Sequence, residues 1–237
     1  MKYLWTYVDA RGKWYLKSKS YYSFGTTLHK VLERFHDSGD VGVSTVGDAL
    51  KVYEESWLEA GYSSPEEMQE AFGEGREIVA NVIEEELKRE PGVRTVAVEK
   101  FLKADLGPFV LIGRIDRLDQ HPDGTLEIVD YKSGRRAVSD EDVASDFAMA
   151  CYQLLIRKNF PGVPVKATIH ALRATEEGKK KGTASLSKED LEVFASDIRM
   201  LGEQILATTI EDHSPSVKYL CEECDFFALC EKDPRYA

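Results

Sequence analysis

The sequence has no long hydrophobic run and no segment typical of a targeting signal. No apolar stretch approaches the ~20 residues that a membrane-spanning helix needs, which argues against such a helix. The first 17 residues lack the continuous apolar core and the small-residue cleavage site of a signal peptide. We therefore expect a cytoplasmic protein with no membrane partner.

Positive charge is also in deficit, with 31 Lys and Arg against 42 Asp and Glu and a formal net charge of −11. This balance argues at first against a nucleic-acid partner, because phosphate binding is driven by Lys and Arg. It does not exclude an acidic site that holds cations, since contact with phosphates needs only a local basic strip. Three strips are candidates, although each alone is better explained as exposed charged surface: Arg135–Arg136, Arg157–Lys158 and Lys179–Lys181.

Cysteine is scarce, and three of the four cysteines stand in the last seventeen residues. In a cytosolic chain, clustered cysteines indicate a metal or cluster site before they indicate disulfide bonds. Cys221, Cys224 and Cys230 have the close spacing with which thiolates bind zinc or an iron–sulfur cluster. Cys151 lies on the apolar face of a predicted helix, where a buried free thiol is the simpler interpretation.

The first 92 residues are predicted to be mainly helical. Apolar residues recur at helical spacing after Gly25 and again through residues 44–60. Ser64, with proline next and glutamate three residues on, is typical of a helix start, and Pro91 ends the helix that follows.

The apolar pattern then changes to that of β-structure. Three β-rich segments, separated by turns that contain Gly and Pro, predict an antiparallel meander: residues 94–103, 109–119 and 125–133. A helix at about 140–159, a strand at 165–174 and a helix from Ser187 follow. The predicted fold class is α/β: a mixed sheet with an antiparallel meander flanked by helices, plus a helical N-terminal part. We expect one compact domain in three parts, residues 1–92, 93–186 and 187–237.

The meander places charged residues where chemistry can take place. Asp130 and Lys132 share one face of their strand, at the end of an apolar row. The preceding hairpin can bring Asp116 close to Asp130. Two carboxylates can hold Mg²⁺ or Mn²⁺, and the lysine can position or deprotonate a water or stabilise a transition state. The alternative is a surface ion pair on an edge strand, which is common and nearly neutral in energy.

The same segments resemble a known family. The run from Gly113 to Asp119, followed by Asp130-Tyr131-Lys132, is similar to the signature of the PD-(D/E)XK nuclease superfamily. More narrowly, these segments resemble the branch of RecB-type nuclease domains and CRISPR-adaptation exonucleases. The resemblance implies a restriction-endonuclease-like core in which Asp116, Asp130 and Lys132 are catalytic.

Four further site residues follow from the resemblance alone. Gly25 to His29 resembles the branch's G-x-x-x-H element, which implies that His29 is a metal ligand beside Asp116, Asp130 and the main-chain carbonyl of Tyr131. Glu99 stands where this branch often has a catalytic acidic residue. Gln153 matches the glutamine of the Q-x-x-x-Y element. Position 157 departs from that element, because arginine stands where the family has tyrosine.

The resemblance also implies a cofactor for the cysteines. In that branch a C-terminal trio with this spacing joins an N-terminal cysteine to hold a [4Fe–4S] cluster, but residues 7–17 contain no cysteine. The fourth ligand is then Asp9, a solvent species or Cys151. Zinc bound by the trio and His213 is an alternative, and three free thiols of a lost site are another.

The predicted function is that of a metal-dependent DNA nuclease, and more narrowly an exonuclease that acts on single strands or ends. DNA, as single strands or ends, is the expected partner, and the sequence leaves protein partners open. The alternative is a catalytically inactive DNA end-binding subunit of a repair or adaptation complex. Intact Asp116, Asp130 and Lys132 argue against it, because binding alone does not need them. A different metal enzyme or an iron–sulfur redox protein has no supporting flavin, nucleotide or haem motif.

Overall fold

The computed structural model describes residues 2–37, 42–175, 179–209, 219 and 221–233. The N-terminal part contains two short irregular turns, Leu4–Val8 and Ala10–Tyr15, followed by three helices. These are α1 (Ser20–His36), α2 (Val46–Glu55) and α3 (Pro65–Leu87). Helix α3 begins where the sequence predicts, because the Ser64 hydroxyl accepts a hydrogen bond from the Glu67 N–H and Pro65 occupies the first turn.

A five-stranded mixed sheet follows, in the spatial order β1-β2-β3-β4-β5. Its first three strands form the predicted antiparallel meander, β4 runs parallel to β3, and β5 closes the edge antiparallel to β4. The strands are β1 (Arg94–Asp105), β2 (Val110–Gln120), β3 (Leu126–Lys132), β4 (Val165–Ala171) and β5 (Lys181–Ala184). The predicted α/β fold with a mixed sheet is confirmed.

The crossover from β3 to β4 is helical, as a parallel pair requires. The sequence predicts one helix at about 140–159, but the structure has two, α4 (Asp140–Ser145) and α5 (Phe147–Asn159). Asp146 separates them because its backbone is extended and its carboxylate caps α5 by accepting from the Met149 N–H. The remaining helices are α6 (Lys188–Ala207) and α7 (Phe227–Cys230).

Apolar residues cover both faces of the sheet, so the sheet lies between two groups of helices. One core joins strand residues such as Ile128 and Ile169 to the α5 residues Met149 and Leu155. The other joins α1, α2 and α3 to Val129, Tyr131 and Leu172. The three-part division of the chain stays a prediction. No helix of the described residues combines the length and the apolar character needed to cross a membrane.

Candidate metal centre

The centre lies where strands β2 and β3 separate. Their ladder ends at the pair Arg117 and Val129, and the next two opposing positions are Asp116 and Asp130. Beyond that pair the Tyr131 N–H donates to a side chain of β2, Asp116 Oδ2, at 2.8 Å. The separation of the strands therefore leaves two carboxylates in the gap, as the predicted hairpin requires.

Helix α1 brings His29 to the same gap. Its Nδ1 lies 3.5 Å from Asp116 Oδ1, and its Nε2 donates to the Tyr131 carbonyl oxygen at 3.0 Å. The helix can approach this closely because residue 25 is glycine: a Cβ there would lie 2.8 Å from Ser133 Oγ. The predicted ligands His29, Asp116 and the Tyr131 carbonyl are thus in direct contact.

Strand β1 adds Glu99 to the cluster. The pairs Val98–Arg117 and Lys100–Ile115 flank it, so Glu99 stands opposite Asp116 in the β1–β2 register. Its φ is 47°, a left-handed conformation that is uncommon for a residue other than glycine. The ligand atoms of His29, Glu99 and Asp116 all lie within 4.8 Å of one another.

Asp130 and Lys132 form a close ion pair beside these ligands. The lysine Nζ lies 2.6 Å from Asp130 Oδ2; the aspartate side chain is 8% exposed and the lysine side chain 50%. Burial, opposed by Lys132 and assisted by the charge of Asp116, raises the pKa of Asp130 to about 6. Burial alone would lower the pKa of Lys132, but the Asp130 carboxylate raises it, so the lysine stays an ammonium.

The electrostatics of the centre favour a bound cation. Three carboxylates converge there, from Glu99, Asp116 and Asp130, and Lys132 and Arg114 supply the nearby positive charges. Burial acts to lower the pKa of His29, but the hydrogen bond with Asp116 and the surrounding carboxylates outweigh it and raise that pKa. An oxygen-rich set with one imidazole suits a hard divalent ion such as Mg²⁺ or Mn²⁺. The residues present therefore fit the metal that the sequence predicts.

Gln153 is engaged elsewhere. It is fully buried in α5, and its side-chain oxygen accepts from the Leu186 N–H at 2.9 Å. Arg157, one turn later, donates to the Leu186 carbonyl at 2.9 Å. The pair holds the connection between β5 and α6, and no described contact joins Gln153 to the carboxylates.

The residue of α5 that does face the carboxylates is Tyr152, which the sequence does not single out. Burial, together with the charges of Asp130 and Asp116, raises its pKa to about 12. Its ring packs on β2 at Gly113, where a Cβ would come within 3.1 Å of it. The Q-x-x-x-Y element matches the adjacent Gln153, so the sequence marks Tyr152 only by its position next to that glutamine.

The main chain of Tyr131 is held from the opposite side of the sheet. The tyrosine ring is buried there, and its hydroxyl oxygen accepts from Arg117 Nη1 at 2.6 Å. The same guanidinium contacts Glu86 at 3.0 Å and Asp119 at 3.1 Å. One strand residue therefore links the metal centre, through its backbone, to a set of buried ion pairs, through its side chain.

We name that set the buried ion cluster: His36, Glu86, Arg89, Arg117 and Asp119. Arg117 Nη1 donates to His36 Nε2 at 2.6 Å, which requires a neutral imidazole. Burial, assisted by the charges of Arg117 and Arg89, lowers the pKa of His36 to about 2. The cluster therefore contains two acidic side chains and two arginines, and their charges cancel.

The cysteine-bearing segment packs against the N-terminal turns. Burial raises the pKa of Cys230, and the charges of Cys224 and Cys221 and a hydrogen bond with Trp5 also act on its thiol. The Lys17 N–H and the Lys19 ammonium both contact Asp225, each at 3.4 Å. Of the candidate fourth ligands, Asp9 pairs with Arg11 at 2.5 Å, and His213 lies outside the described residues. Cys151 has Asp146 as its charged neighbour, and burial raises its pKa to about 11.

Comparison with known proteins supports a nuclease family. Residues 1–231 match the family model of the PD-(D/E)XK nuclease superfamily. A comparison with curated proteins finds no match. Two similar solved structures are a candidate exonuclease from Eubacterium rectale and the protein SSO0001, both 15% identical. The match to the first has a TM-score of 0.42 and covers 90% of this chain and 92% of the other chain. The match to the second has a TM-score of 0.31 and covers 86% of this chain and 83% of the other chain.

Proposed function

Because the chain belongs to the PD-(D/E)XK nuclease superfamily, we propose that it is a Mg²⁺- or Mn²⁺-dependent DNA nuclease that degrades strands from their ends. The observation that carries this proposal is the convergence of His29, Glu99 and Asp116 within 4.8 Å. The ion pair of Asp130 and Lys132 lies beside them. The exonuclease assignment rests on the resemblance to the RecB-type branch.

In this proposal the residues that would hold the metal are His29, Glu99, Asp116, Asp130 and Tyr131 through its carbonyl. A bound divalent ion would polarise the phosphate and lower the pKa of a water molecule. Asp116 is fixed in position to bind the metal, because the Tyr131 N–H donates to one of its oxygens and leaves Oδ1 facing His29. Asp130 holds Lys132 within the site.

Lys132 acts as a donor in this mechanism rather than as a base. Its ammonium keeps its proton beside Asp130, and half of the side chain is exposed, so it can reach a phosphate oxygen. Negative charge grows on that oxygen as the phosphodiester is attacked, and a fixed ammonium stabilises it. Tyr152 is a second candidate donor, because its raised pKa keeps the phenol protonated.

Digestion of end-labelled DNA tests the proposal. The wild type is incubated with single-stranded and duplex DNA and either Mg²⁺, Mn²⁺ or EDTA, beside Lys132→Ala and the control Lys166→Ala, whose lysine pairs with Glu127 on the neighbouring strand. We expect metal-dependent shortening from the ends by the wild type and the control, and none by Lys132→Ala. Binding of DNA ends without cleavage by the wild type would instead identify an inactive end-binding subunit.

We also propose that Cys221, Cys224 and Cys230 hold an iron–sulfur cluster rather than zinc. The support is the C-x2-C-x5-C spacing of the three cysteines, which is similar to the cluster-binding trio of the RecB-type branch. The charges of Cys224 and Cys221 act on the Cys230 thiol, so the three side chains lie near one another. Iron and sulfide analysis of anaerobically purified protein, with Cys224→Ala for comparison, tests this; stoichiometric zinc without iron would reject it.

A further inference from the structure

The N-terminal turns carry an exposed aromatic surface. Among the described residues, six exposed aromatic side chains lie before Ser23 and four lie in the rest of the chain. The six are Tyr3, Tyr7, Trp14, Tyr15, Tyr21 and Tyr22, and the four are Phe101, Phe147, Phe160 and Tyr219. Trp14 is 87% exposed. A concentration of large apolar groups in water indicates a surface that another molecule covers.

The charge of this segment is opposite to that of the whole chain. Five cations and one acid lie in the first 22 residues, Lys2, Arg11, Lys13, Lys17 and Lys19 against Asp9, in a chain of net charge −11. Arg11 neutralises the single acid. Lys13 and Lys17 flank the exposed run from Trp14 to Leu16, and no described carboxylate forms an ion pair with either lysine. The surface therefore complements a negatively charged partner with flat apolar groups.

Two of the exposed rings, Tyr21 and Tyr22, lie in the first turn of α1, the helix that also carries His29. Tyr22, Thr26 and His29 lie on one stripe of the helix, at i, i+4 and i+7. Tyr22 is exposed and contacts the ring of Tyr21, with ring centroids 4.4 Å apart. Seven residues of helix span about 10 Å, which is the length of one or two nucleotides. A strand that lies on these rings thus has a short path to His29.

Contacts with the rest of the chain hold this segment in place. The Ser23 hydroxyl donates to the Ala60 carbonyl at 2.7 Å, and Asp225 contacts both Lys17 and Lys19. Trp5 is buried beneath Arg11. A surface with fixed backbone loses little conformational entropy when a ligand binds.

We propose that this aromatic–basic surface, formed by Trp14, Tyr21, Tyr22, Lys13 and Lys17, binds single-stranded nucleic acid and directs it to His29. Exposed rings stack on bases of any sequence, and the lysines contact the phosphates. A duplex does not offer its base faces in this way, because they are already stacked on one another. The inference depends on the proposed function in one respect, which is that the bound strand is the substrate of the metal centre.

Binding is measured without cleavage, in EDTA, by the fluorescence anisotropy of a labelled oligothymidylate of about 12 nucleotides. We expect the double variant Trp14→Ala/Tyr22→Ala to lose affinity at least about tenfold, because each stacked base contributes substantially. The matched control is Phe160→Ala, an exposed aromatic after α5, near the end of the sheet opposite Lys132. The control should bind as the wild type does.

The lysines are tested by the salt dependence of binding. Lys13→Ala/Lys17→Ala should make the slope of log K against log salt shallower by about 1.4, since each phosphate contact on a single strand contributes about 0.7. An unchanged slope would count against the proposal. Equal affinity of the aromatic variant and the wild type would overturn it and leave a protein as the partner of this surface. Wild-type protein that binds a blunt duplex as tightly as oligothymidylate would also overturn it.

Failure of this inference and failure of the nuclease proposal give different results. A protein that binds oligothymidylate through Trp14 and Tyr22 but cuts no DNA with Mg²⁺ or Mn²⁺ supports the surface and rejects the nuclease. A protein that cuts single strands but binds them equally well without those rings rejects the surface alone.

Discussion

Strands β2 and β3 supply two clusters of charged residues, and the clusters differ in how completely their charges are compensated. In the buried ion cluster each carboxylate contacts an arginine, and the side chains of Glu86, Arg117 and Asp119 are 6% exposed or less. In the metal centre three carboxylates meet with less positive charge, and the Lys132 side chain is half exposed. Compensated charges that are out of reach of solvent are fixed parts of the fold, because removing one partner leaves the other buried and unpaired. Uncompensated charges within reach of solvent are available for a ligand.

Neighbouring residues on one strand fall into different clusters. Asp116 points to the metal centre, whereas Arg117 and Asp119 take part in the buried ion cluster. Residue type alone does not distinguish the two aspartates, and the comparison teaches that their surroundings decide their roles. Four experiments test that difference.

The largest effect is expected from Asp116→Asn. Loss of this carboxylate should lower cleavage on the order of 10³-fold, because the charge that holds the metal is removed. Stability should stay the same or rise, since fewer like charges then face one another. Asp119→Asn is the matched control on the same strand: it should cost about 3 kcal/mol of stability and leave the activity of the folded protein within a few fold. Cleavage kinetics and urea unfolding measure both effects, and a reversed pattern would reject the division into two clusters.

Arg117→Met should lower the free energy of unfolding by about 3–5 kcal/mol. The substitution leaves Glu86 and Asp119 buried without their partner, and uncompensated buried charge is costly. Urea unfolding measures the loss. Arg117→Lys keeps the charge and should recover part of the stability, which provides a comparison if the methionine variant does not fold. A methionine variant as stable as the wild type would show that the cluster contributes nothing.

The two clusters should respond to pH with opposite sign through their histidines. The pKa of His36 is about 2 in the folded protein and ordinarily about 6.5, so its contribution is present above pH 6.5 and is lost as pH falls. The loss is roughly 1.4 kcal/mol per pH unit below about 6. The pKa of His29 is raised, so its contribution is full below its ordinary pKa and is lost as pH rises.

Urea unfolding between pH 7.5 and about 5, in EDTA, tests these signs. His36→Gln should make the loss of stability on acidification shallower by about one proton, whereas His29→Gln should make it steeper. The same change of slope in both variants would contradict the electrostatic difference between the clusters.

The smallest effect is expected from Tyr131→Phe, which changes the link between the clusters. Loss of the hydroxyl leaves one Arg117 donor without its acceptor and should cost about 1 kcal/mol of stability. The main-chain groups that hold Asp116 and His29 should shift slightly, and Mn²⁺ affinity should fall by no more than about tenfold. Calorimetric titration with Mn²⁺ measures the change. Unaltered stability and affinity would mean that the two clusters are independent.

Much of the candidate site was predictable because its signals are local. The i, i+2 spacing of Asp130 and Lys132 places both on one strand face, and a short hairpin sets Asp116 opposite Asp130. Tyr152 and Gln153 were not distinguishable in the same way. They are adjacent on one helix, so their side chains point in different directions, and the pattern along the chain does not show which of them faces the carboxylates.

The sequence by itself determined the class of the fold, the meander and the chemistry of the strand that carries Asp130 and Lys132. It did so because alternation along a strand and helix start signals depend on neighbouring residues. The resemblance implied that His29 and Glu99 join Asp116, but only the tertiary structure shows the contacts between them. It also shows that Gln153 binds Leu186 and that Arg117 hydrogen-bonds the Tyr131 hydroxyl. Each of those contacts joins elements distant along the chain, and their geometry depends on how helices and strands pack rather than on any local pattern.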